Sequence, residues 1–171
     1  MTPEDETRTL RLHLPSADAT DALGARLAGA LRAGDDVRLS GGLGAGKSSI
    51  ARAVIRTRLA AEGRAEDIPS PTYTLIQTYQ TAEAEIRHAD LYRLSAPEEA
   101  EELGLFDRSD QAILLIEWPE RLGDAPAGRR LELQLAVETQ GRRLDATLLG
   151  RGWDAVAAAL RGGSDRSGAG G

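Results

Sequence analysis

Two periodicities alternate along this chain. Leu10, Leu12 and Leu14 alternate with polar Thr9, Arg11 and His13, which predicts a half-buried strand over 9–14. Ala19, Leu23, Leu27, Ala30 and Leu31 then recur at helical spacing behind Ser16, whose hydroxyl suits an N-cap. Gly34-Asp35-Asp36 breaks that helix and leads into a short strand, Val37 to Ser40. Ile50, Ala51, Val54, Ile55 and Leu59 predict a second helix to about Ala60, ended by Gly63. A polar loop follows over 64–72. Thr74 to Tyr79 and Ile86 to Ala89 read as two strands joined by a polar turn. Ser95-Ala96-Pro97-Glu98 is a helix start, its acidic residues set against the N-terminal dipole. Ala112 to Ile116 is continuously aliphatic, the mark of a strand buried on both faces. Residues 131–137 and 143–149 alternate around Gly141 as a hairpin, and Trp153 to Leu160 forms a short closing helix.

Helices interleaved with strands predict an α/β fold with a mainly parallel central sheet, antiparallel hairpin additions and flanking helices. A length of 171 residues suits one domain over 1–161, with the glycine- and serine-rich 162–171 as a flexible tail.

The break between the third and fourth elements carries the chemistry. Gly41 to Ser49 reads GGLGAGKSS, which fits G-x-x-x-x-G-K-[ST]. Small residues let backbone N–H groups curl around phosphate oxygens, and the following helix points its positive end at the same anion. Lys47 would reach the β- and γ-phosphates, and the Ser48 hydroxyl would ligate Mg²⁺. A strand before the loop and a helix after it supply the frame of a P-loop NTPase-like fold.

Such a loop needs carboxylates near the metal and the attacking water, at the carboxyl ends of neighbouring strands. Asp90 and Glu117 both fit; Glu117 ends the more buried strand, where a metal partner would resolve the cost of an unpaired carboxylate. Ser70-Pro71-Thr72-Tyr73-Thr74 joins hydroxyls to two rigid prolines, equally suited to a γ-phosphate-sensing switch or to an ordinary turn. His88 reads as structural rather than as a base. Arg93 fits either stabilisation of transferring phosphate charge or pairing with Asp90, a surface pair being the default. Trp118 fits a core or a partner-facing position.

Composition narrows the function. A net charge of −6 argues against wrapping nucleic acid through a broad basic face. The absence of cysteine excludes disulfides and thiolate metal sites. No apolar run reaches the roughly 20 residues of a bilayer span, and the N-terminus lacks the layout of a signal peptide. A cytoplasmic location is expected.

Four separated pieces, LGAGKSS (43–49), SPTYTL (70–75), HADLYRL (88–94) and IEWPE (116–120), together resemble the bacterial tRNA threonylcarbamoyladenosine biosynthesis ATPase family, TsaE, in order and spacing over roughly 8–150. The resemblance implies a small Mg²⁺-dependent ATPase, slow alone and stimulated by its partners, TsaB and TsaD. Those two subunits carry out N6-threonylcarbamoylation of adenosine 37 in tRNAs reading ANN codons. It also implies roles for particular residues. Gly42, Leu43, Gly44, Ala45, Gly46, Lys47, Ser48 and Ser49 would hold ATP, with Lys47 also catalytic. Ser48 and Glu117 would ligate Mg²⁺, and Asp90 would be the Walker B-like carboxylate acting with Glu117 in catalysis. Thr72 would belong to the switch-like segment, and Arg142 to a turn, Gln140-Gly141-Arg142, near the adenine. The stretch around Ala17 to Thr20 would lie close by. Gly42 stands where family members often have Asp, and Ser48-Ser49 where they often have Thr-Thr.

Two other functions fit a P-loop. A small-molecule kinase would need an arginine-bearing lid, for which Arg129-Arg130 and Arg142-Arg143 are the candidate pairs. A nucleotide-gated binding module would need no turnover.

Overall fold

The computed structural model describes residues 6–123 and 129–162. Beyond Gly162, the expected tail lies outside them. The chain runs β1 (Thr7–Leu14), α1 (Ala17–Ala30), β2 (Asp36–Gly41), α2 (Lys47–Ala60), β3 (Ile76–Gln80), β4 (Glu85–Asp90), α3 (Pro97–Glu102), β5 (Ala112–Glu117), β6 (Arg130–Val137), β7 (Arg142–Leu149) and α4 (Asp154–Arg161). The strands form one sheet in the order β1-β7-β6-β2-β5-β4-β3. β6, β2, β5 and β4 are parallel and make its centre. β1 and β7 extend one side and β3 the other, all antiparallel. The fold is the expected P-loop NTPase-like α/β class. Parallel and antiparallel pairings are equal in number among the described residues, because β3 and β7 are each added antiparallel outside the parallel centre and β1 pairs antiparallel beyond β7.

Local chemistry sets most boundaries. Ser16 caps α1 by accepting the Ala19 N–H at 3.1 Å. α3 begins at Pro97, whose missing N–H costs nothing in a first turn. β3 starts two residues later than the alternation predicts. The Leu75 N–H instead donates to the Pro71 carbonyl at 2.9 Å, closing a turn, and Leu75 sits at φ 66. That left-handed residue ends the turn and lets the strand begin at Ile76.

β5 is buried along its whole length. On one face Ile113 and Leu115 join Val37 and Leu39 of β2 under α1 and α2. On the other, Leu114 and Ile116 pack with Ala89, Leu91, Leu105 and Ala100 of α3. Parallel register brings the ends of β5 and β4 level and sets them beside β2: Glu117 pairs with Asp90 of β4 and with Leu39, two residues before the end of β2. The chain turns away from β2 in opposite directions on its two sides, which opens a crevice at the carboxyl ends of the strands.

α2 is the helix that follows the loop, so its seat matters to the site. It packs against α1 at Gly24, where a Cβ would lie 2.6 Å from the Ala53 Cβ and 2.9 Å from the Ile50 carbonyl. Gly24→Ala therefore pushes the two helices apart, although alanine is the better helix former by about 1 kcal/mol. At Gly29, in the same helix, an added Cβ meets nothing within 4 Å. Thermal melting is expected to show Gly24→Ala destabilised by about 1–3 kcal/mol, roughly 2–10 °C in Tm, and Gly29→Ala unchanged or stabilised. Equal melting temperatures for the two would refute this helix contact as a constraint.

Candidate phosphate-binding site

β2 ends at Gly41, whose φ of 138 and close approach to the Leu135 carbonyl admit no side chain without strain. The chain then curls through Gly44 and Gly46, both at positive φ, into α2. Gly46 caps α2 without any side-chain bond, so the first N–H groups of the helix remain available to an anion. Lys47, 5% exposed, folds back over the loop, and its Nζ donates to the carbonyls of Gly41 and Gly42 at 2.7 Å each. An ammonium has three N–H donors, so one is left for a phosphate oxygen. Nζ also lies 4.3 Å from the centre of the Trp118 ring. Burial lowers the Lys47 pKa, opposed by the charges of Glu117, Glu120 and Asp90.

Ser48 Oγ donates to Glu117 Oε1 at 2.7 Å. Glu117 is 2% exposed, and its other oxygen, Oε2, lies 2.6 Å from Nε2 of the wholly buried His88. A carboxylate only accepts, so the Nε2 proton donates. Asp90 is half-buried, and its Oδ1 accepts the Tyr92 N–H at 3.1 Å. Burial raises the Asp90 pKa, with the Glu117 charge adding to it; the Tyr92 N–H and the charges of His88 and Lys47 oppose the rise.

An open cleft of about 360 Å³ joins these groups. Of the residues expected to hold ATP or Mg²⁺ or to act in catalysis, all but Gly42 line it: Leu43 through Ser49, Thr72, Asp90, Glu117 and Arg142. Gly42 contributes its carbonyl to Lys47 instead. A Cβ at Gly42 would meet nothing within 4 Å, so the loop tolerates a side chain there without rearrangement. Ser70 and Thr72 face the cleft, their hydroxyls 3.0 Å apart. Arg142 lies over the loop, donating to the Gly44 carbonyl at 3.4 Å and to Oγ1 of buried Thr20 at 3.2 Å. Gln140 does not follow it; it lines a separate cleft with His13 and Val137. Arg93 stacks over the Tyr73 ring, 5.1 Å away, rather than on Asp90.

The hydroxyl–carboxylate pair suits Mg²⁺, which takes one or two protein oxygens and fills its shell with phosphate and water. Free loop N–H groups and the lysine suit a triphosphate. Two further groups belong to the site, His88 and Trp118. His88 shares the Asp90 face of β4 by simple alternation, a signal that was present. Trp118 was ambiguous because its place under Lys47 depends on a left-handed turn, φ 57, at the end of β5.

The chain matches the model of the family "Threonylcarbamoyl adenosine biosynthesis protein TsaE" over residues 14–144. It is 38% identical over 133 residues to the tRNA threonylcarbamoyladenosine biosynthesis protein TsaE of Rickettsia felis, covering 78% of this chain and 76% of that protein. It is 36% identical over 125 residues to the protein of the same name from Mycobacterium leprae, covering 68% and 75%. The Haemophilus influenzae TsaE is 43% identical over a shorter stretch of 86 residues, 50% of this chain and 52% of that one. Among solved structures, the Bacillus protein YdiB superposes with a TM-score of 0.64 at 20% identity, over 95% of this chain and 98% of that one, a likeness of fold. On the family match and these identities, the chain belongs to the TsaE family.

Proposed function

We propose that this protein is the Mg²⁺-dependent, ATP-hydrolysing subunit required for N6-threonylcarbamoylation of adenosine 37 in tRNAs reading ANN codons. It would work in the cytoplasm with TsaB and TsaD, which carry out the transfer. The observation that carries the ATPase reading is the 2.7 Å bond between Ser48 and Glu117 beside Lys47 at the loop. Nothing in a structural role requires a hydroxyl from the loop helix, a strand-end carboxylate and a folded-back lysine to converge on one cleft.

In this reading the loop N–H groups and the third Lys47 donor hold the β- and γ-phosphates. Ser48 Oγ and Glu117 Oε1 hold Mg²⁺, which when bound neutralises charge developing between the phosphates. Asp90 keeps Oδ1 on the Tyr92 N–H and offers Oδ2 to orient the attacking water and accept its proton. Ser70 and Thr72 follow the γ-phosphate from the opposite wall. Arg142 closes the nucleoside end. The rim also carries exposed Leu43, Tyr73 and Tyr92, 75%, 84% and 43% accessible, apolar surface of the kind a partner covers. A partner docked at the mouth of the site would cover them.

The kinase alternative finds less support. Of its four candidate arginines, Arg142 lines the cleft. Arg129 is bound to Asp35 and lies over Trp153, while Arg130 and Arg143 bond Glu132 and Asp145 along their strands. None of these three lines the cleft.

Lys47→Ala is expected to abolish ATP binding in a fluorescent-nucleotide titration. The ATPase rate is expected to be low for the protein alone and to rise when TsaB and TsaD are added together. An unchanged rate, with no ATP-dependent complex, would contradict the proposal. Asp90 gives a separate test. Its raised pKa means that ionising it costs folded-state stability, a cost present at neutral pH and lost as pH falls below the ordinary aspartate value of 3.8. Asp90→Asn should therefore melt higher than the parent at pH 7, converge with it in acid and lose turnover. A lower Tm at pH 7 would show that Asp90 stabilises the fold instead.

A further inference from the structure

The Mg²⁺ reading leaves His88 unused. Its side chain is fully buried on β4, where it pairs with Leu115 of β5 and Gln77 of β3. The face it shares with Asp90 and Glu117 lets the ring reach forward one rung, to Glu117. Nε2 is satisfied at 2.6 Å, whereas Nδ1 is buried with no partner among the described residues. A histidine kept for packing alone would satisfy both nitrogens or give way to an apolar residue. This one makes a single bond, to a single carboxylate oxygen.

The consequence lies in how Glu117 is held. Ser48 takes Oε1 and His88 takes Oε2, so the two oxygens are committed in different directions. Oε1 lies with Ser48, which lines the cleft; Oε2 lies against the wholly buried His88. Rotating the carboxylate to present both oxygens outward would break the His88 bond and strand a buried N–H. Mg²⁺ demands a near-octahedral shell at about 2.0–2.1 Å and takes one oxygen per carboxylate. Ca²⁺ takes 6–8 oxygens at about 2.3–2.6 Å in flexible geometry and can use both oxygens of one carboxylate. We propose that His88 is a positioning residue that fixes Glu117 as a one-oxygen ligand and thereby sets the preference of the site for Mg²⁺ over Ca²⁺. This rests on the reading that Glu117 meets the cation of Mg–ATP.

The test is direct binding of a fluorescent ATP analogue to the full chain in EDTA, in Mg²⁺ and in Ca²⁺. The parent is compared with Glu117→Gln, His88→Leu and His88→Gln. The glutamine amide can place an N–H where the ring Nε2–H stands, so it serves as the rescue. His88→Leu is expected to lose about tenfold in Mg²⁺ affinity and most of the Mg²⁺/Ca²⁺ preference, with binding in EDTA unchanged. His88→Gln is expected to keep the preference. If His88→Leu does not fold, His88→Asn replaces it, since its amide stops at the Nδ1 position. A parent that takes both cations equally, or a donor-less variant with the parent's ratio, overturns the inference. Unaltered metal dependence in Glu117→Gln would instead overturn the metal site itself. Loss there, with the ratio intact in His88→Leu, overturns the His88 inference alone.

Discussion

A carboxylate buried to the extent of Glu117 is costly unless it is paired, and the way it is paired organises the site. Its two oxygens are shared between a hydroxyl from the loop helix and an imidazole from the neighbouring strand. Three elements are thereby tied at one point: β5 through Glu117, β4 through His88 and α2 through Ser48. The contact is local, but it depends on long-range order. The strands must end level, the helix must begin at Lys47, and β5 must be buried on both faces.

Each of these conditions has a physical source. Parallel register fixes Glu117 against Leu39 and Asp90. The close contact at Gly24 and Ala53 seats α2 on α1. Gly41 lets β2 leave the sheet beside β6, and Lys47 stitches the loop shut through the Gly41 and Gly42 carbonyls. The stabilising work is done by the apolar layers on either side of β5. The polar groups around its end are not optimised for stability: burial raises the Asp90 pKa and lowers that of Lys47.

Much of this was legible in the sequence, for reasons that can be named. β5 is written as AILLIE, and a central strand needs no alternation. The loop is written as glycine spacing, because backbone N–H groups can approach phosphate only where Cβ atoms are few. Asp90 and Glu117 were legible as polar residues closing strand-like runs. The start of β3 was not, because the Pro71–Leu75 turn is set by a backbone bond and a left-handed leucine that propensity does not encode. Nor were the links between Glu117 and His88, between Lys47 and Trp118, or between Arg142 and Thr20. Each joins residues from separate elements, and their meeting follows from register and from the path of the loop rather than from any local pattern.

The central claim is that Ser48 and Glu117 form the cation site of a nucleotide-binding loop. A crystal structure of the protein with Mg²⁺ and a non-hydrolysable ATP analogue tests it most directly. The account predicts the β- and γ-phosphates on the N–H groups of the Gly41–Ser48 loop, and the cation bound to Ser48 Oγ and Glu117 Oε1, with the His88–Oε2 bond retained. Phosphates bound elsewhere, or a filled loop in which the 2.7 Å Ser48–Glu117 bond persists and the cation sits apart from both, would contradict it.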